Sequence, residues 1–134
     1  MGSSFNRIAN LRNPYQGNEK KVLALCSAGL LRSPTVAWVL SNPPYNYNTR
    51  AAGTETDYAL IPLDDALIEW ADEIVCVNPN NTNTLKWWAE QNDVDLTGKL
   101  IVTLDIPDQY RRRDPKLVAI IEKQYQAHIH AERT

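Results

Sequence analysis

The sequence predicts an α/β fold in three layers, with a four-stranded parallel sheet between two layers of helices. Four short apolar runs alternate with longer stretches of helical spacing, which is typical of parallel strands joined by crossover helices. The first run, residues 21–26 (KVLALC), is almost continuously apolar, as a strand buried on both faces would be. The chain of 134 residues is long enough for one domain with its own core.

Three further apolar runs complete the predicted sheet. Residues 49–52 form the weakest of them, because the run is short and includes an arginine. The other two are rich in the branched residues that pack well on a pleated surface. These stronger runs span residues 73–77 and 100–104.

Four stretches carry the spacing or the end signals of helices. The first follows the first strand, with Ser33 as its expected N-cap and Pro34 at its first helical position. The last is preceded by Asp114, which we expect to cap it. The four predicted helices span residues 34–41, 62–71, 80–91 and 115–131.

Composition argues against several classes of protein. The formal net charge of −2 is unlike that of a protein that binds nucleic acid non-specifically, and no apolar run is long enough for a membrane span. Residues 1–19 are polar and lack the apolar segment of a signal peptide, so we expect an N-terminal extension before one domain at 20–134. Two cysteines and two histidines give neither a disulfide framework nor metal-ligand spacing. We therefore expect a cytoplasmic protein without a metal or other cofactor.

The bend after the first strand places a cysteine and an arginine at the two ends of a short loop. Cys26 and Arg32 are separated by five residues, and Ser33 follows, which gives Cys-x5-Arg-Ser between a strand and a helix. The backbone N–H groups of such a loop can surround one tetrahedral anion, and the helix adds its positive end. Gly29 permits a turn that larger residues resist. The predicted phosphate-binding residues are Ser27, Ala28, Gly29, Leu30, Leu31 and Arg32.

The same bend predicts nucleophilic chemistry. Arg32 can hold two phosphate oxygens in a bidentate fork, and Cys26 lies at the floor of the bend, where a positive field favours its thiolate. Ser33 can donate a hydrogen bond to that thiolate. The alternative is a buried strand-end cysteine beside an ordinary helix start. The complete motif in a strand–loop–helix setting favours a phosphate site with sulfur placed to attack phosphorus.

Attack on a phosphate ester also requires an acid that protonates the leaving oxygen. Asp105 and Asp108 both lie in residues 103–115 (TLDIPDQYRRRDP), just past the fourth strand and at the same sheet edge as the bend. Alone, Asp108 would be interpreted as a turn residue. Beside the Cys-x5-Arg-Ser loop, the role of acid is favoured for this segment. Tyr110 is predicted to form a wall of the cleft and to stack on an aryl substrate.

Several stretches resemble the low-molecular-weight protein tyrosine phosphatases and their shorter phosphatase-like relatives. LALCSAGLLRSP is similar to their catalytic loop, RAAGT to a Ser-Ala-Gly-Thr stretch, ADEIVCVNPNN to a strand and helix start, and DIPDQY to their acid loop. The resemblance runs in family order from about Val22 to Tyr125. It implies the flavodoxin-like fold of that family and a phosphatase that acts, by way of phosphocysteine, on protein phosphotyrosine.

Carried over residue by residue, the resemblance implies that Cys26 is the nucleophile, Arg32 the phosphate clamp and Ser33 the group that stabilises the thiolate. Asp108 falls on the aspartate of the acid loop and becomes the general acid, with Asp105 as runner-up or helper. Two departures are Gly29, where the family usually places asparagine, and Gln109 in place of proline.

The implied ligands are a phosphorylated protein or a small aryl phosphate, with phosphate, sulfate or vanadate able to occupy the loop. Nucleic acid and membrane are not expected as partners. One alternative is a non-catalytic module that binds phosphate or phosphoprotein, although binding alone needs neither Cys26 nor an acid. The other is an enzyme similar to arsenate reductase, which relies on additional cysteines or on an external thiol. We expect Cys76 to be a core residue, and His128 and His130 to face solvent.

Overall fold

The computed structural model describes residues 20–27, 32–55, 59, 61–107, 109–111 and 113–133, with side chains described as far as 129. The predicted extension at 1–19 therefore lies outside the described residues. None of the described helices combines the length and the apolar character that a membrane span requires.

Strands and helices alternate along the described chain. The strands are β1 (Lys21–Cys26), β2 (Asn48–Gly53), β3 (Glu73–Cys76) and β4 (Leu100–Thr103). The helices are α1 (Arg32–Ser41), α2 (Asp65–Trp70), α3 (Pro79–Gln91) and α4 (Pro115–Arg133). The strands pair in parallel in the order β2-β1-β3-β4. The predicted four-stranded parallel sheet is confirmed, and its order is that of a flavodoxin-like fold.

Helices cover both faces of the sheet and enclose two hydrophobic clusters. Ala24 and Cys26 face the cluster that also contains residues of α1 and α4. Leu23 and Leu25 face the opposite cluster, which also contains residues of α2 and α3. Because successive side chains of a strand point to opposite faces, a strand between two helical layers is apolar throughout. This explains the continuous apolar run of β1 and confirms the three-layer arrangement.

The structure corrects the predicted starts of two helices. α1 begins at Arg32, so Ser33 lies within its first turn and is not an N-cap. The hydroxyl of Ser33 is instead directed towards the end of β1 and towards β2. α2 begins at Asp65, later than predicted, because the carboxylate of Asp64 caps it by accepting the backbone N–H of Leu67 at 2.9 Å.

The cap predicted for the last helix is confirmed. The carboxylate of Asp114 accepts the backbone N–H of Lys116 at 2.9 Å. This bond satisfies one of the donors that a helix leaves unpaired in its first turn. α4 therefore starts where the sequence placed it, directly after the segment that carries the predicted acids.

A buried carboxylate joins the start of β3 to α4. Glu73, which is 2% exposed, accepts hydrogen bonds from the Tyr125 hydroxyl at 2.7 Å and the Lys20 ammonium at 2.9 Å. Burial lowers the pKa of Lys20, but the hydrogen bond and charge of Glu73 outweigh this and hold that pKa above its ordinary value. Burial, and then the contact with Glu73, raises the pKa of Tyr125. Lys20 therefore stays charged and Tyr125 stays a neutral donor, which keeps the buried carboxylate paired.

Replacing Tyr125 with phenylalanine tests this buried arrangement. We expect Tyr125→Phe to lower the free energy of unfolding by about 1–3 kcal/mol, because one oxygen of the buried Glu73 loses its donor. Urea unfolding measures the loss. Tyr45→Phe is the matched control, since the Tyr45 ring touches Tyr125 but its hydroxyl accepts an exposed bond from Gln126. Equal losses in the two variants would contradict the arrangement.

Candidate active site

The last residue of β1 places a thiol beside a hydroxyl. Cys26 is 3% exposed, and its Sγ lies 3.1 Å from the Oγ of the fully buried Ser33. The same Oγ lies 3.3 Å from the carbonyl oxygen of Ala52 in β2. A serine hydroxyl carries one hydrogen, so it donates either to the sulfur or to the carbonyl at any moment. A thiol at Cys26 can donate to Ser33, whereas a thiolate can only accept from it.

Arg32 connects the start of α1 to the segment after β4. Its side chain is 6% exposed, and one guanidinium nitrogen donates to the carbonyl oxygen of Ile106 at 3.1 Å. Arg32 and Ser33 are adjacent in the chain, so both side chains extend from the first turn of α1. The Ser33 hydroxyl is the one that contacts Cys26. The remaining loop residues predicted to bind phosphate, Ala28, Gly29, Leu30 and Leu31, lie outside the described residues.

The segment after β4 is fixed to the sheet and to α4. The backbone N–H of Ile106 donates to the carbonyl of Val77 at 2.9 Å. Gln124 of α4 holds the neighbouring Asp105 twice: its Oε1 accepts the backbone N–H at 2.7 Å, and its Nε2 donates to the carbonyl oxygen at 2.9 Å. The side chain of Asp105 is exposed and borders a cavity of about 400 Å³ against α4. The cavity is lined by Asp105, Pro107, Ile120, Lys123, Gln124 and Ala127.

The far end of this segment is held by α1. The backbone N–H of Arg113 donates to the hydroxyl of Thr35 at 3.0 Å, and its guanidinium lies 4.7 Å from the ring centre of Trp38. Tyr110 is half-buried and packs against the hydrophobic cluster that contains Cys26. The predicted acid Asp108 lies between these anchors in sequence and is itself outside the described residues.

A side chain that the sequence analysis did not single out joins the start of α3 to the end of β1. The amide nitrogen of Asn81 donates to the hydroxyl of Ser27 at 3.3 Å and to the hydroxyl of Thr54 at 3.1 Å. The backbone N–H of Thr54 donates to the carbonyl oxygen of Cys26 at 2.8 Å, and that of Glu55 to the carbonyl of Ser27 at 2.9 Å. These bonds join segments that follow three different strands, next to Cys26 in the fold.

The second cysteine lies on the opposite face of the sheet. Cys76 is fully buried in the cluster formed with α2 and α3, whereas Cys26 belongs to the cluster formed with α1 and α4. Burial raises the pKa of the Cys76 thiol to about 11. A disulfide between the two cysteines would require the sheet to be disrupted, because their side chains point away from each other. Cys76 is therefore a core residue.

The expectation that His128 faces solvent is wrong. Its ring is half-buried, and its Nε2 lies 3.0 Å from the carbonyl oxygen of Thr103, the last residue of β4. His128 lies one helical turn after Gln124, so the same face of α4 holds both the end of β4 and the segment that follows it. The side chain of His130 lies outside the described residues. Within the described part of the chain, no cluster of His, Cys, Asp and Glu is suited to hold a metal ion.

Neither protein-family models nor curated protein sequences give a match to this chain. Solved structures do. A Vibrio vulnificus Wzb in complex with benzylphosphonate superposes with a TM-score of 0.61 at 21% identity, over 82% of this chain and 97% of the other. The tyrosine phosphatase Wzb from Escherichia coli K30, in complex with phosphate, gives 0.61 at 16% identity, over 84% and 98%. The Erwinia amylovora tyrosine phosphatase AmsI gives 0.61 at 16% identity, over 90% and 98%.

These superpositions cover most of both chains, so the described domain has the fold of the low-molecular-weight tyrosine phosphatases. The resemblance read from the loop motif and the collinear stretches is thus confirmed at the level of the fold.

Proposed function

We propose that this protein is a cysteine-dependent phosphatase that hydrolyses phosphate monoesters, with phosphotyrosine on proteins as the favoured substrate. The observation that carries the proposal is the contact of 3.1 Å between Cys26 Sγ and Ser33 Oγ, one residue from the buried Arg32. A hydroxyl donor beside the sulfur is what a thiolate requires, and the guanidinium of the neighbouring residue in the sequence is the group that can hold a phosphoryl group. The residues that form this contact are those of the Cys-x5-Arg-Ser motif.

In the first proposed step, the thiolate of Cys26 attacks phosphorus and forms a sulfur–phosphorus bond. The bond between phosphorus and the ester oxygen breaks, and Asp108 gives its proton to that leaving oxygen. The loop N–H groups and Arg32 hold the three equatorial oxygens, where the charge of the transition state is carried. The products of this step are a phosphocysteine and the free alcohol or phenol.

In the second step, water attacks the phosphorus of the phosphocysteine. The Asp108 carboxylate accepts a proton from that water, the sulfur–phosphorus bond breaks, and inorganic phosphate leaves. The electron pair of the broken bond returns to sulfur and restores the thiolate. Ser33 supports both steps, because its hydroxyl can turn from the carbonyl of Ala52 to the charged sulfur.

The contacts of Asp105 and of the described neighbours of Asp108 support Asp108 as the acid over Asp105. The backbone of Asp105 is held by Gln124, and its exposed side chain lines the cavity beside α4. Asp108 lies two residues after Ile106, whose carbonyl is bonded to Arg32, and two residues before Tyr110, which packs against the cluster of Cys26. In sequence, Asp108 is therefore flanked by one contact with the proposed phosphate clamp and one with the cluster that contains the proposed nucleophile.

Two observations support an aromatic phosphate as substrate. Tyr110 is a half-buried aromatic ring on the segment that carries the proposed acid. Proteins with this fold include those described as tyrosine phosphatases and a low-molecular-weight phosphotyrosine phosphatase from Vibrio cholerae. An arginine phosphatase from Geobacillus stearothermophilus has a similar fold. Phosphoarginine is therefore the substrate to compare with phosphotyrosine. Phosphate, sulfate and vanadate are the expected anions of the loop.

The rival functions fit the site less well. An enzyme similar to arsenate reductase would use additional cysteines or an external thiol, and Cys76, the other cysteine of the sequence, lies on the opposite face of the sheet from Cys26. A module that only binds phosphate would not need a thiol beside a hydroxyl donor. A nucleophilic thiol must stay reduced, which suits the proposed cytoplasmic setting. We assign the activity to the domain at 20–134.

The first test is hydrolysis of para-nitrophenyl phosphate at mildly acidic pH, without added metal, by wild type and Cys26→Ser. We expect turnover by wild type and loss of essentially all of it in Cys26→Ser, because a serine hydroxyl is a far weaker nucleophile than a thiolate. Cys76→Ser is the matched control and should keep the catalytic rate of any folded fraction. Equal turnover by Cys26→Ser and wild type would contradict the proposal, and vanadate binding without wild-type turnover would favour the binding module.

The second test separates the two candidate acids. We expect Asp108→Asn to lower kcat on phenyl phosphate by about 10²–10⁴-fold, because the poor leaving group then departs unprotonated. The loss should be smaller with para-nitrophenyl phosphate, whose leaving group is already stabilised. Asp105→Asn should change kcat on neither substrate by more than a few-fold. A larger effect of Asp105→Asn would transfer the role of acid to that residue.

A further inference from the structure

We infer that Asn81 is a positioning residue for the catalytic loop. Its side-chain amide fixes the hydroxyl of Ser27 directly and the backbone of Cys26 through Thr54. The inference rests on the proposed phosphatase function, and it assigns a role to a residue outside the Cys-x5-Arg-Ser motif.

The position of Asn81 in the fold suits this role. β1 and β3 pair in parallel, and the chain leaves β1 towards one face of the sheet and β3 towards the other. The crevice at such a switch point is where α/β sheets bind ligands. Asn81 lies in the first turn of α3, and its backbone N–H is held by the Asn78 side chain at 3.1 Å. Its side chain is therefore fixed to the β3 side of the crevice, opposite Cys26.

The hydrogen bonds define the direction of the amide. The hydroxyl of Thr54 lies 3.5 Å from the carbonyl oxygen of Cys26 and donates to it, so this hydroxyl accepts from Asn81. The amide nitrogen thus faces the two hydroxyls, and Asn81 is 2% exposed. The Oδ1 atom of Asn81 has no hydrogen-bond partner in the part of the chain that the structure describes. An apolar side chain would avoid this buried acceptor, but it would leave both hydroxyls without their donor.

The composition of the loop explains why a hydrogen-bond donor from outside the loop, the Asn81 amide, is needed to fix its conformation. Among the five residues between Cys26 and Arg32, which are Ser-Ala-Gly-Leu-Leu, only Ser27 has a side chain that can form a hydrogen bond. Asn81 contacts that one side chain. The Asn81 side chain therefore fixes the first residue of the loop in a way that the loop's own side chains cannot.

Substituting Asn81 tests this role. We expect Asn81→Ala to raise the inhibition constant of vanadate and to lower kcat/KM on para-nitrophenyl phosphate, each by about tenfold, because two hydrogen bonds that orient the loop are lost. Asn81→Asp keeps the shape of the side chain but removes its donors, so it should lose at least as much. Asn83→Ala, an exposed asparagine of the same helix, should match wild type.

A merely structural role would give a different pattern. Lys99→Met removes the ammonium that caps the carbonyl oxygens of Ala71 and Glu69, at the opposite edge of the sheet. We expect this variant to lose stability in urea unfolding but to keep the vanadate constant of wild type. If Asn81→Ala is destabilised as Lys99→Met is and also keeps the wild-type constant, the inference is overturned.

A double-mutant cycle completes the test. If Asn81 acts through Ser27, the vanadate constant of Asn81→Ala/Ser27→Ala should rise no further than that of the more affected single variant. Independent, multiplicative losses would contradict the inference. The two proposals fail distinguishably: wild type that neither binds vanadate nor turns over overturns the phosphatase function, and the inference with it. Active wild type with an unchanged Asn81→Ala overturns the inference alone.

Discussion

The parallel pairing of β1 with β3 is the constraint on which the rest of the site depends. Leu25 pairs with Cys76, so both strands end at the same level of the sheet, and their following segments turn to opposite faces. In α/β sheets, a crevice forms where the connections of two neighbouring strands turn to opposite faces, because neither connection covers the ends of both strands. Cys26 ends the strand on one side of this point, and the first turn of α3 follows the strand on the other side and is bonded to Ser27 through Asn81. The chemistry that we propose uses groups that this single pairing brings together.

The bond between Arg32 and the carbonyl of Ile106 links the two halves of the proposed catalysis. It joins the residue that would hold the phosphoryl group to the segment that carries the proposed acid. The same segment is fixed by Gln124 of α4 at one end and by Thr35 of α1 at the other. In the mechanism that we propose, holding this segment in advance would reduce the reorganisation needed at the moment of reaction. α1 and α4 therefore have a role beyond covering the sheet.

The elements of the site that follow periodic or motif signals could be predicted from the sequence. β1, the loop motif with Cys26 and Arg32, and the order of strands and helices follow from apolar runs and fixed spacing. Asn81 and Gln124 could not be found in this way, because each acts on a residue about twenty or more positions away through one polar side chain. Such contacts produce no periodic pattern or fixed spacing in the sequence that would predict them. The sequence predicts Ser33 as a cap because serine at a helix start usually caps, whereas the structure places its hydroxyl 3.1 Å from the sulfur of Cys26.

In the mechanism that we propose, the sulfur of Cys26 carries the phosphoryl group during turnover. Rapid acid quenching of the Asp108→Asn variant with para-nitrophenyl phosphate, followed by intact-protein and peptide mass spectrometry, tests it most directly. We expect one added phosphoryl group, on the peptide that contains Cys26, because the variant still forms phosphocysteine with this leaving group but hydrolyses it slowly. Turnover with no phosphoryl group on the protein, or with the group on another residue, would contradict it.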